Sequence, residues 1–195
     1  MSFCFLDPGP LVDGELELIA PEPKWFDQML ASCWHPLCQN DARARRITRE
    51  WLVEQDKAAP GGRFSGVPHE GRAPAYAFWM RLRPQHHPVI PIAGTIGLRI
   101  GNSYELEMYF GHLGYNVFEP ARGIHLAERS CRLLLPLARA HGLKSLWITC
   151  NPDNSASRRT CERLGALLVE TVPIPESNIL YQRGDRVKCR YRLDL

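Results

Sequence analysis

The chain lacks long apolar runs. No stretch approaches the length needed to cross a bilayer, so no membrane association is expected. The first ten residues, MSFCFLDPGP, show no cationic start followed by an apolar segment, so no signal peptide is expected and a cytoplasmic location is. Charge of one sign is scarce too: 24 Lys and Arg against 21 Asp and Glu leave a net +3. That surplus is too small to argue for nucleic acid, and a basic patch around a phosphorylated small molecule accounts for it equally well. The seven cysteines are odd in number and scattered, several within apolar runs, which argues for reduced, buried thiols. Cys33, His35 and Cys38 have the residue types of a zinc site, but no second pair with matching spacing exists, so no metal is expected. No internal repeat is visible.

What is present fits one domain, residues 1–195, with 45% hydrophobic and 23% charged residues. Residues 15–20 alternate as a strand, and helices are read at 24–34 and 43–56. The Arg-rich positions 43–49 read as a solvated helix face. Residues 57–74, rich in Gly and Pro, read as a loop, and 84–88, PQHHP, as a turn. Strands at 75–82, 92–100 and 105–117 form an antiparallel meander. From Leu126 the apolar spacing becomes helical and runs to Gly142, with Pro136 removing one backbone donor on the way. A strand at 146–150, a helix at 155–164 closed by Gly165, and strands at 167–174 and 187–193 complete an α+β, mixed α/β order.

The stretch GHLGYNVFEPARGIHLAERSCRLLLPLARAHG, residues 111–142, carries the chemistry. A strand runs into a helix whose first turn holds Arg122 and Gly123. A helix start offers unpaired N–H groups and a partial positive charge, small residues let a pyrophosphate approach, and Arg122 adds a bidentate donor. On these residues alone a plain strand–turn–helix crossover is equally good. Asn154 and Ser157 open the next helix; taken alone, Asn154 reads as a cap.

Taken together, GTIGLRIG, GHLGYNVFEPARGIHLA and CNPDNSASRRTCERLGA resemble the GNAT superfamily of acetyl-CoA-dependent N-acetyltransferases, over about residues 91–175 by motif order. The resemblance implies a twisted mixed sheet with a splayed central strand, flanked by helices, and acetyl-CoA as co-substrate. The pantetheine arm is then expected along the backbone of Asn116, Val117 and Phe118. The pyrophosphate is expected on Arg122, Gly123, Ile124, His125, Leu126 and Ala127, with Asn154 and Ser157 helping to hold the cofactor arm. Two positions depart from the family pattern. His125 stands where the loop has its central Gly, and a helical φ there would be open to His. Cys161 stands where many members place a Tyr as acid to the leaving thiolate. The resemblance takes the general base from the fourth strand, which makes His112 a candidate, with Glu107 and Glu105 as alternatives on the same strand. Acetyl transfer to a primary amine by direct attack in a ternary complex is the expected reaction. The acceptor is a small-molecule or peptide amine, and the oligomeric state stays open, a homodimer included. A non-catalytic acyl-CoA-binding or regulatory module of the same fold is the alternative.

Overall fold

The computed structural model describes residues 3–67, 72–86 and 88–195. His87 of the expected PQHHP turn and residues 68–71 of the Gly/Pro-rich loop lie outside the described residues.

A hairpin comes first: β1 (Val12–Asp13) and β2 (Leu16–Ile19), turning at Gly14, whose φ of +56° suits a residue without Cβ. Helix α1 (Phe26–Cys33) buries Phe26, Met29 and Cys33. Helix α2 (Arg49–Ala58) starts where the Thr48 hydroxyl accepts the Trp51 N–H at 3.2 Å. A short β3 (Arg63–Phe64) pairs with β4 (Ala75–Leu82), which pairs in turn with β5 (Ile92–Arg99). Then come β6 (Leu113–Val117), α3 (Leu126–Ala140), β7 (Ser145–Cys150), α4 (Ser155–Leu164), β8 (Leu167–Pro173), a single-turn α5 (Ile179–Gln182) and β9 (Val187–Asp194).

The strands form two sheets. One runs β1-β2-β4-β5-β6, with β3 against β4; the other runs β7-β9-β8. Every ladder is antiparallel. β6 and β7 are neighbours joined through α3, yet they share no ladder, so the two sheets splay apart between them. They meet at one end, where the His112 N–H donates to the Trp147 carbonyl at 2.6 Å. Gly111 permits that approach: with φ of +69°, an added Cβ would sit 3.0 Å from Thr149 N and 3.1 Å from Trp147 O.

The core is continuous across both sheets. It takes Leu126, Cys131, Leu134, Leu137 and Ala138 from α3 and Cys161 and Leu164 from α4. Each fully buried leucine contributes about 2 kcal/mol relative to an exposed one, so this stripe holds α3 on the sheet without help from the mostly polar opposite face. Six of the seven cysteines are buried free thiols and Cys4 is exposed. Arg129 bolts the outer face of α3 to the first hairpin, donating to Asp13 Oδ2 and Glu15 Oε1, both at 2.6 Å.

One expected element is not a strand throughout. Residues 106–110 form a wide helical turn, and only after Gly111 does the chain extend. The segment ELEMYF alternates as a strand would, but Leu106 and Tyr109 are both buried, a spacing of three that a helical turn satisfies. Glu105 and Glu107 are therefore not on the strand that carries Leu113–Val117.

Candidate active site

The splay opens onto a cavity of about 870 Å³. Its walls are β6, the loop into α3, the first turns of α3 and α4, and residues 40–43 from the N-terminal segment. Of the expected cofactor residues, Asn116, Val117, Arg122, Gly123, His125, Leu126, Ala127, Asn154 and Ser157 all line it. Ile124 and Phe118 do not. Ile124 projects outward, half exposed. Phe118 is fully buried and its N–H donates to Ala93 O of β5 at 2.8 Å, so it has no backbone donor for a cofactor. Antiparallel alternation turns Asn116 the same way. Its carbonyl lies so close to Gly94 that a Cβ there would come within 2.1 Å. The backbone that faces the splay belongs to Tyr115 and Val117.

The two helix starts differ. On α4, Asn154 Oδ1 accepts the Ser157 N–H at 3.0 Å, so this end is capped by its own side chain. On α3 no side chain caps the first turn. Its first residues, Leu126 and Ala127, line the cavity beside Arg122, Arg159 and Arg163. An uncapped helix start under three guanidinium groups suits a diphosphate.

His125 occupies the point that decides this geometry. It is the sole non-glycine residue with positive φ among the described residues, at φ 59° and ψ 25°. The expectation of a right-handed helical φ is thus corrected: the backbone adopts the left-handed form that a glycine would supply, and the imidazole is carried along. Its Nδ1 accepts from Arg163 at 2.8 Å, linking the start of α3 to α4 across the cavity.

Arg122 is held from two sides. Its Nε donates to the Val117 carbonyl at 3.0 Å and its Nη2 to Asp41 Oδ2 at 3.1 Å. The Asp41 side chain is 3% exposed, and Oδ1 accepts the N–H groups of Arg43 and Ala44, both at 3.1 Å. A buried carboxylate from the N-terminal segment thus aims the arginine that the sequence placed in the loop.

The expected catalytic residues fare less well. His112 is 1% exposed. Its Nδ1 accepts the Trp147 N–H at 2.9 Å, which makes Nε2 the protonated nitrogen, donating to Gly101 O at 2.9 Å. Burial pushes its pKa down, and no ring nitrogen is left to take a proton. Cys161 is fully buried and outside the cavity lining. The interaction with the Cys150 sulfur, and then burial, hold its thiol firmly protonated. Both act in packing. Glu107, half-buried on the wide turn, is the remaining expected catalytic side chain; its N–H donates to Ser103 O and its carbonyl accepts from Arg190 Nε, both at 3.1 Å, and it lies outside the cavity lining. No cluster of three or more His, Cys, Asp or Glu suited to a metal exists among the described residues.

Sequence reasoning missed several lining residues, Asp41, Tyr115, Arg159 and Arg163 among them. Asp41 precedes a short helical turn, where it reads as an ordinary cap, and nothing near it in sequence points to the cavity. Tyr115 sits in an apolar strand, where aromatic side chains are usually core.

Comparison with known proteins decides the family. The family described as acetyltransferase (GNAT) domain matches residues 16–167. The chain belongs to the GNAT family. It is an acetyltransferase with acetyl-CoA as co-substrate. Solved structures share the GNAT fold at low identity. The microcin C7 self-immunity acetyltransferase MccE, in complex with acetyl-CoA and AMP, aligns at 16% identity over 94% of each chain, with a TM-score of 0.66. RimL, a ribosomal-protein alpha-N-acetyltransferase in complex with coenzyme A, aligns at 18% identity over 94% of this chain and 96% of its own, with a TM-score of 0.61. A putative ribosomal-protein-serine acetyltransferase from Vibrio cholerae aligns at 14% identity over 97% of this chain and 100% of its own, with a TM-score of 0.60. No curated protein sequence matches the chain. Among the described residues, no helix of this GNAT protein is long and apolar enough to cross a membrane.

Proposed function

We propose that the protein moves an acetyl group from acetyl-CoA to a primary amine by direct attack within a ternary complex. The uncapped start of α3, opening into an arginine-lined cavity at the splay, carries this reading. The N–H groups of the first α3 turn, with Arg122 and Arg163, would hold the pyrophosphate. The splay-facing backbone of Tyr115 and Val117 would take the pantetheine arm, with Asn154 and Ser157 fixing the wall opposite. Holding both reactants in the splay supplies much of the acceleration, because attack then becomes effectively unimolecular. The amine must lose a proton from a free pKa near about 10, and Glu107, on the wide turn before Gly111, is the carboxylate we assign to accept it through water.

The named solved structures include enzymes for ribosomal-protein termini and a self-immunity enzyme, which supports an amine acceptor on a peptide or small molecule. A single domain in the cytoplasm fits the sequence. Calorimetry with acetyl-CoA and with coenzyme A is the direct check, followed by thiol release against a panel of amines. Absence of binding at millimolar concentration would sink the proposal.

A further inference from the structure

Departure of the coenzyme A thiolate needs a proton donor, and the residue that the family pattern offers on α4 is absent. Cys161 stands there, buried and outside the cavity. The opposite wall supplies a phenol instead. Tyr115 lines the cavity from β6, and its hydroxyl lies 2.9 Å from Ser157 Oγ and 3.4 Å from the Ser157 carbonyl, crossing the splay to α4. We propose that Tyr115 is the acid that protonates the departing sulfur, with Ser157 orienting its hydroxyl; the proposal rests on the acetyl-transfer reading above.

The surroundings keep the phenol protonated. Besides Ser157, the Thr160 hydroxyl and the buried thiols of Cys131 and Cys161 act on the phenol. Burial raises the phenol's pKa well above its ordinary value, so the proton is in place at neutral and mildly alkaline pH. In the step itself, the amine nitrogen bonds to the thioester carbon and the carbonyl π pair moves to oxygen. When the carbonyl re-forms, the C–S bond breaks and its electron pair goes to sulfur. The Tyr115 O–H proton passes to that sulfur. The phenolate regains a proton from solvent through Ser157, balanced by the proton that the attacking amine releases to its base.

The test is Tyr115→Phe, which keeps the ring and its packing. With any amine that the unaltered enzyme acetylates, kcat should fall about 10²-fold or more, while KM for acetyl-CoA and calorimetric affinity for coenzyme A stay within about threefold. A second readout needs no acceptor. The thiol of bound coenzyme A is alkylated with iodoacetamide across a pH series. A phenol donating to the thiolate lowers the thiol's pKa, so the variant should react about tenfold more slowly at fixed pH below that value. Unchanged kcat, or unchanged alkylation, overturns the assignment. Coenzyme A binding with no turnover on any amine would instead overturn the acetyl-transfer reading, and the alkylation series would still decide whether Tyr115 meets the sulfur.

Discussion

Replacing His125 by glycine should make the protein no less stable while weakening its hold on coenzyme A. The left-handed conformation at φ 59° costs a non-glycine residue about 1–2 kcal/mol, which glycine escapes. Against this stands the greater freedom of glycine in the unfolded chain, about 0.5–1 kcal/mol, and the exposed contact with Arg163, a few tenths. The balance is a gain of up to about 1 kcal/mol, a rise in Tm of up to about 4 °C for a chain of this size. His125→Ala loses the same ring without relief of the backbone, so it should lie about 1 kcal/mol below the glycine variant. In both variants Arg163 loses the nitrogen that positions it over the start of α3, and coenzyme A affinity should drop about fivefold. Thermal denaturation and calorimetry on the three proteins separate the effects. A glycine variant that melts more than about 4 °C lower would show that the backbone is not strained there. Equal or tighter coenzyme A binding would show that the imidazole obstructs the site and does not help to build it.

Four further outcomes follow from described contacts. Glu107→Gln should lower kcat/KM about 10²-fold at neutral pH with coenzyme A affinity unchanged; full activity would remove Glu107 as base. Asp41→Ala should cost about 1–3 kcal/mol in urea denaturation, because two backbone N–H groups and Arg122 lose one buried acceptor together. His112→Ala should cost about 2–4 kcal/mol yet leave the pH dependence of kcat in place, and a lost titration limb with intact stability would restore His112 as a base. Arg129 holds the Glu15 carboxyl down at about 2 against an ordinary 4.5. A depressed carboxylate stabilises above its unfolded pKa, so this contribution is complete above pH 4.5 and fades as pH falls towards 2. With Glu15 30% exposed, solvent limits it to about 1 kcal/mol. Acid titration of Glu15→Gln should lack that part of the loss.

The parts legible in sequence were those where one physical signal stood alone. The α3 stripe needs only helical spacing, and β4 and β5 follow from apolar runs between turn residues. The loop into α3 was readable because Arg122 and Gly123 lie just before the helix start in sequence and line the cavity with it. The segment before Gly111 was misread because ELEMYF satisfies a period of two and a single helical turn equally well. β1 and α5 are too short to carry any period. Asp41 reaches the cavity from 81 residues before its partner Arg122, a separation that local pattern does not encode. The φ at His125 was misjudged for a related reason: a positive φ is normally announced by glycine, and here the conformation persists under another side chain.

His112 has a consequence of its own. Two strands that part company resemble a crack in a sheet, and a crack lengthens from its tip. At that tip one residue holds three rivets: its main-chain N–H on Trp147, its Nδ1 under the Trp147 N–H, and its Nε2 on Gly101. Any wedge driven between β6 and β7 must break both bonds to Trp147 before the opening can advance, while the Gly101 bond holds the ring in place from its own sheet. The depth to which a slender molecule can be inserted is therefore fixed by the protein and not by the guest, and whatever lies at the guest's far end stops at the same place every time.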